Sequence, residues 1–246
     1  MKNWVLGNWK MNHTLEEIDS FFSGLKDLNP SANVVAGIAP QALHTKHCLE
    51  SKPSSLKIGA QNCHYESKGA FTGETSVNSL KDIGVEFILI GHSERRALFN
   101  EDHELLKKKL NKTLEHNLLA VYCVGETLEQ RESGKTWDII ESQLNEVLKG
   151  LSSANNLLIA YEPVWAIGTG KTATAEQAGQ VHSQIRTWLE SHFSTDASDI
   201  PILYGGSVKP ENFASLLATD NICGGLVGGA SLKAQSFLEL CKIAGN

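Results

Sequence analysis

Prolines are scarce, 6 in 246 residues, and no apolar run approaches the ~18 residues that would cross a bilayer. No two cysteines are spaced Cys-x-x-Cys, and basic residues do not outnumber acidic ones: 22 Lys and Arg face 28 Asp and Glu, a net charge of −6. Each shortage removes a class. The low proline content, beside 41% hydrophobic residues, argues against a disordered or fibrous chain. The acidic balance argues against a dedicated nucleic-acid binder, which usually carries a basic stripe, and the missing apolar run against a membrane protein. Five scattered cysteines, Cys48, Cys63, Cys123, Cys223 and Cys241, suit neither a disulfide frame nor a zinc site. Residues 1–12 offer no apolar stretch of signal-peptide type, so reduced thiols in the cytoplasm are expected. The Asn-x-Ser/Thr matches at Asn12 and Asn111 then have no bearing on glycosylation.

What is present is an alternation. Short apolar, β-branched runs occupy residues 4–7, 34–38, 56–60, 85–90, 118–124, 157–161, 202–204 and 222–227. Their starts lie about 31 residues apart, the size of one strand–helix unit. Runs this continuously apolar suit strands buried on both faces, as a parallel sheet requires. Helical stripes fall between them. Trp137, Ile140, Leu144, Val147 and Leu148 share one face, as do Val181, Ile185, Trp188 and Leu189. Leu105, Leu106, Leu110 and Leu114 form another stripe around Lys107, Lys108 and Lys109, a lysine run read as a solvated helix face. Helix stops are expected at Gly150 and at Asn29-Pro30. No linker divides the chain, so residues 1–246 read as a single domain of eight units, the number that closes a (β/α)8 barrel. Alternation alone also allows an open, doubly wound sheet.

In a parallel barrel the chemistry gathers where the strands end. The residues following each run are therefore the candidates: Asn8 and Lys10 after the first, His92 through Arg96 after the fourth, Cys123, Gly125 and Glu126 around the end of the fifth. Glu162 and Pro163 follow the sixth, Gly205-Gly206-Ser207 the seventh, and Gly228-Gly229 the eighth. Lys10, His92 and Glu162 form a possible acid/base set, and the two glycine pairs a possible phosphate cradle of exposed backbone N–H groups. Each has a plainer reading as well. Lys10 could be a surface cation, His92 a loop residue before a helix capped by Ser93, and the glycines tight turns. Cys123 reads as a small hydrophobe packed by the site, not a nucleophile, whereas a carboxylate at a buried strand end is unusual without a partner.

Two motifs come close and fail. Gly170-Lys171-Thr172 resembles the end of a P-loop, but Trp165 stands where its first glycine belongs. Gly168-Thr169-Gly170-Lys171-Thr172-Ala173 satisfies a relaxed dinucleotide pattern, yet it begins seven residues beyond Tyr161 and has no acid at the next strand end. That spacing better suits a hinged lid over residues 163–171.

Taken in order, Gly7-Asn8-Trp9-Lys10-Met11-Asn12, Ile90-Gly91-His92-Ser93-Glu94-Arg95-Arg96, the stretch from Ala160 to Lys171, Tyr204-Gly205-Gly206-Ser207-Val208 and Leu226-Val227-Gly228-Gly229-Ala230-Ser231-Leu232 resemble the triosephosphate isomerase family over the whole chain. The resemblance implies a (β/α)8 TIM barrel and a glycolytic and gluconeogenic isomerase. It would interconvert dihydroxyacetone phosphate and D-glyceraldehyde 3-phosphate through an enediol(ate), without metal or organic cofactor. By the same resemblance Glu162 is the general base, His92 a neutral imidazole polarising the carbonyl, and Lys10 the cation facing the substrate. Asn8 would orient Lys10, while Gly168, Ser207, Gly228 and Gly229 would surround the phosphate. Glu94 is expected beside Lys10, and the lid would protect the intermediate from water. The loop around Thr72 would enter a second copy to form a homodimer, with Arg95 bracing that interface. One departure stands out: Cys223-Gly224-Gly225 replaces the family's more usual Asp-Gly pair, which puts the packing of the eighth strand in question. A phosphosugar aldolase is disfavoured because no run carries an internal lysine except Lys57 at its edge. A catalytically inert barrel would be expected to lack one of Asn8, Lys10, His92 or Glu162, and all four are present.

Overall fold

Eight parallel strands form one closed barrel in sequence order. They are β1 (Asn3–Asn8), β2 (Val34–Ala39), β3 (Leu56–Ala60), β4 (Phe87–Ile90), β5 (Leu119–Val124), β6 (Leu157–Tyr161), β7 (Ile202–Tyr204) and β8 (Gly224–Val227). The computed structural model describes residues 2–151, 153–167, 172–193 and 197–246. Closure comes from β1, which pairs with β2 on one side and with β8 on the other, Trp4 opposite Gly224 through Gly7 opposite Val227. That ladder excludes the open sheet.

Helices α1 (Leu15–Gly24), α2 (Thr45–Ser51), α3 (Val77–Asp82), α4 (Ser93–Phe99), α5 (His103–Glu115), α6 (Leu128–Glu132), α7 (Thr136–Leu148), α8 (Ala175–His192), α9 (Pro210–Leu217) and α10 (Ala234–Gly245) fill the crossovers. Several start where the sequence supplies a cap. Thr14 with Glu17 opens α1 and Thr174 with Gln177 opens α8, each pair satisfying backbone donors reciprocally. None of the helices among the described residues is long and apolar enough to cross a membrane.

Side chains alternate along the strands. Leu6, Ala39, Phe87, Leu89, Val121, Cys123, Leu158, Ala160, Leu203 and Leu226 fill the barrel. Their neighbours Val5, Ile38, Ile58, Ile88, Tyr122, Ile159 and Tyr204 belong to a second cluster shared with the helices. Phe87 occupies the interior because β2 and β3 carry glycine opposite it. A Cβ on Gly59 would lie 2.3 Å from its ring and one on Gly37 2.9 Å. Burying that ring contributes roughly 1.5–3 kcal/mol, so Gly59→Ala would forfeit it.

The structure corrects several expectations. The fourth strand starts at Phe87, not Val85, whose N–H turns back to Leu80 O in the turn after α3. The eighth starts at Gly224, which has φ +137 and leaves no room for a Cβ, since one would fall 2.0 Å from Trp4 O. Glycine is thus required beside Cys223, and the strand packs with it. Helix α1 stops at Gly24, ahead of the stop expected at Asn29-Pro30, because single turns follow through Leu25 and Leu28. Lys109 is not on a solvated face. It is 3% exposed, three residues beyond buried Leu106, and its ammonium meets Glu101 Oε1 at 2.6 Å and Asn62 Oδ1 at 2.8 Å.

Candidate active site

At the carboxyl ends of the strands lies a cavity of about 650 Å³. Asn8, Lys10, His92 and Glu162 line it from β1, β4 and β6; Ser207, Gly228 and Gly229 line it from β7 and β8. Seven of the site residues read from the sequence are therefore brought to one space. Gly168 lies outside the described residues, as do the remaining lid positions 169–171. Glu94 reaches the site through Lys10, and Cys123 stays wholly buried in the barrel filling.

Glu162 directly follows β6 and is 2% exposed. A buried carboxylate must be hydrogen-bonded to be tolerated, and both oxygens are engaged. Oε2 accepts the backbone N–H of Ser93 at 3.0 Å, and Oε1 lies 3.2 Å from His92 Nε2. Two glycines make room for it. A Cβ on Gly125 would sit 1.8 Å from Glu162 O, and one on Gly205 would sit 2.7 Å from Glu162 Cγ. The Gly205-Gly206 pair is therefore needed for packing: its first member shapes the carboxylate's seat, and its second clears the Tyr204 hydroxyl by the same logic. Gly228 and Gly229 differ. Among the described residues, a Cβ on Gly228 would approach nothing closer than Lys10 Cε at 4.0 Å, and one on Gly229 would meet no atom within 4 Å. Their bareness leaves space in the cavity itself.

His92, not Ser93, caps α4. Its Nδ1 accepts the N–H of Glu94 at 3.3 Å, with Ser93 already the first helical residue. This arrangement has a chemical consequence. A ring nitrogen that accepts a backbone N–H carries no proton, so the imidazole's proton is on Nε2, the nitrogen facing Glu162. The uncharged tautomer follows from the hydrogen-bond pattern. His92 Nδ1 also lies 3.6 Å from Glu94 Oε2, too long to compete as a hydrogen bond.

Lys10 sits in a strained backbone conformation, φ +50, which a non-glycine residue adopts only when its surroundings enforce it. Those surroundings are visible. Asn8 Oδ1 accepts the Lys10 N–H at 3.1 Å, and Gln61 Nε2 donates to both Lys10 O at 2.8 Å and Ala39 O at 2.9 Å. The ammonium is fixed by Glu94 Oε1 at 2.5 Å.

Gln61 and Glu126 brace the site, a role the sequence reading gave to neither, although it named Glu126 among the strand-end candidates. Glu126, wholly buried after β5, accepts hydrogen bonds on Oε1 from Tyr161 OH at 3.1 Å, Trp165 Nε1 at 2.9 Å and Arg131 at 3.1 Å. Its carbonyl accepts Val164 N–H at 3.1 Å. The segment after Pro163 is thus moored to β5. The signal that placed Glu126 among the candidates was the one that marked Glu162, a carboxylate just past a buried strand. Arg96 is a further brace: it donates to Gly91 O at 2.8 Å, Cys123 O at 2.9 Å and Tyr122 OH at 3.1 Å, tying the ends of β4 and β5.

Burial and the charge of Glu162 push the Cys123 thiol well above its ordinary range, so it stays protonated. Behind β6 and β7, burial lowers the His182 imidazole to about 4, keeping it neutral against Tyr161 and Tyr204. Thr72 lies in an exposed loop, where His64 packs on Tyr65 and Phe71. Arg95 bonds Glu101 within the same chain at 2.6 Å and stacks over Phe99.

The family model described as triosephosphate isomerase matches residues 3–244. A triosephosphate isomerase of Finegoldia magna is 48% identical over 244 residues, 97% of each chain. One of Clostridium botulinum is 48% identical over 95% of this chain and 96% of its own. One of Leptospira interrogans is 47% identical over 97% of this chain and 99% of its own.

Proposed function

The chain belongs to the triosephosphate isomerase family and is a glycolytic isomerase of dihydroxyacetone phosphate and D-glyceraldehyde 3-phosphate, and from that premise we propose how its own residues divide the work. The reading rests chiefly on one observation, the buried contact of Glu162 with the Nε2 side of an uncharged His92. Glu162 takes the proton from the carbon beside the substrate carbonyl and returns it to the neighbouring carbon. To reach that carbon it leaves the Ser93 N–H, an anchor that holds the carboxylate before substrate arrives. His92 Nε2–H donates to the oxygens on which charge develops, supplying a hydrogen bond positioned in advance. Lys10 faces the dianion, its backbone fixed through Asn8 and Gln61 and its ammonium by Glu94. Ser207, Gly228 and Gly229 take the phosphate with backbone N–H groups; Gly168 joins them on the strength of its sequence motif alone.

Purified protein given D-glyceraldehyde 3-phosphate, beside Glu162→Gln, tests this division. The variant is expected to lose roughly 10³-fold or more in kcat. No turnover by wild type, or equal turnover by the variant, would overturn it.

The same reading makes the protein a homodimer. Met11 (86% exposed), Leu43 (85%), Phe71, Leu98 and Phe99 lie in or just beyond the consecutive loops that follow β1 to β4, where monomers rarely leave so many large apolar side chains bare. The loop carrying Thr72 lies among them. A fully active monomer by size measurement would refute this. Residues 1–246 would then unfold as one domain within each subunit. A cytoplasmic setting accords with buried free thiols at Cys48, Cys63, Cys123 and Cys241.

A further inference from the structure

The cavity is larger than its substrate requires. A triose phosphate has ten non-hydrogen atoms, and even at a full water's share of volume each these take roughly 300 Å³, against about 650 Å³ available. Part of the cavity's lining is exposed to solvent. There the wall is formed by Lys209, Pro210 and Glu211 where α9 begins, and by Lys233 and Ser236 where α10 begins.

The charges on this outer wall are not spent on other partners. Lys10 is paired with Glu94, and most of the salt-bridged lysines belong to surface helices. Lys209 and Lys233 are exposed and make no ion pair among the described residues. The first residues of α9 and α10 stand beside them, so two helix amino ends add positive potential at the same mouth. Meanwhile the chain as a whole carries −6 and repels a phosphate dianion at long range.

We infer that Lys209 and Lys233 form a cationic lip that draws the substrate's phosphate into the cavity, with Glu211 opposing them. The lip rests on the assignment of this cavity to a triose phosphate. Its residues do not touch the reacting carbons; they act on encounter and capture, where local charge counts for more than net charge. Their contribution therefore sits in kcat/KM and depends on salt, whereas kcat, set after capture, does not feel them.

Five variants and two substrates test it: Lys209→Gln, Lys233→Gln, the two combined, Lys233→Arg and Glu211→Gln, each with D-glyceraldehyde 3-phosphate and with uncharged D-glyceraldehyde. At an ionic strength of about 0.01 M, where screening extends about 30 Å, each Lys→Gln change is expected to lower kcat/KM for the phosphate about two- to fivefold. Removing both lysines should lower it about tenfold. Glu211→Gln should raise it about twofold, and Lys233→Arg should keep the wild-type value. At about 1 M salt, with screening within about 3 Å, these differences should vanish, and glyceraldehyde turnover should not move at any salt. The lip is refuted if the lysine variants match wild type at low salt. It is equally refuted if their loss persists at high salt or extends to glyceraldehyde, or if Glu211→Gln slows the reaction. A wild type inert toward the phosphate would instead remove the assignment beneath it, so the two failures are told apart.

Discussion

The rim of the barrel is built in two ways. Around β1, β4 and β6 it works through side chains, Lys10, His92 and Glu162, each held by partners that leave little freedom. Around β7 and β8 it works through bare backbone, where Gly228 and Gly229 present space to the cavity and almost nothing to the other described residues. One half invests in orientation and the other in vacancy. The difference teaches where damage should register: in the first half on the chemical step, in the second on capture of the ligand.

The sharpest test of that division is His92→Gln, which keeps a hydrogen-bonding side chain but loses the imidazole. We expect kcat to fall roughly 10²–10³-fold with KM little changed; a loss confined to KM would contradict it. Gly205→Ala crosses the boundary. Its methyl lies in the backbone half, yet it would stand 2.7 Å from Glu162 Cγ. Displacing the carboxylate should cost about 10- to 100-fold in kcat, and steady-state kinetics showing only a raised KM would mean the halves are independent after all. Gly229→Ala is the complement. Because the added carbon meets no atom within 4 Å among the described residues, melting temperature should hold within about 1 °C while KM for the phosphate rises about tenfold. A lowered melting temperature at unchanged KM would assign that glycine to the fold.

The last test reads stability, not rate, and concerns the seam between the halves. His182 packs behind Tyr161 of β6 and Tyr204 of β7, with its Nδ1–H donated to Asn221 O at 3.2 Å. Burial lowers its imidazole to about 4 from the ordinary 6.5. The unfolded chain therefore takes up a proton that the folded chain refuses. The stability gained is complete above about pH 6.5 and drains away as pH falls toward 4, about 3 kcal/mol in all. Urea unfolding of His182→Phe between pH 4 and 8 should show a flatter acid limb than wild type. An unchanged slope would mean the ring titrates normally.

Much of this was legible in sequence because buried parallel strands are written as short apolar runs. β3, β6 and β7 fall where those runs fall, and the residues after them include most of the cavity lining. The rest depended on partners distant in sequence. Val85 is as apolar as Phe87, and only the turn formed with Leu80 removes it from β4. Lys109 looks like its neighbours until Glu101 and Asn62 are brought to it. Ser93 is the stronger capping residue by type, yet His92 takes the position since its ring alone reaches both Glu94 N–H and Glu162. Gln61 shows no function until Lys10 presents a strained carbonyl 51 positions away.

The ladder between β1 and β8 carries a consequence for how the molecule is made. The Asn3 side chain donates to Ala244 O at 2.8 Å, across 241 positions, and α10 packs beside that first strand. Closure therefore needs β8, the last of the eight strands in the chain, and without it β1 and β7 would each keep an unpaired edge. A circularly permuted gene, fused where these ends already meet and cut at another loop, would change which edge waits while leaving the finished ring the same.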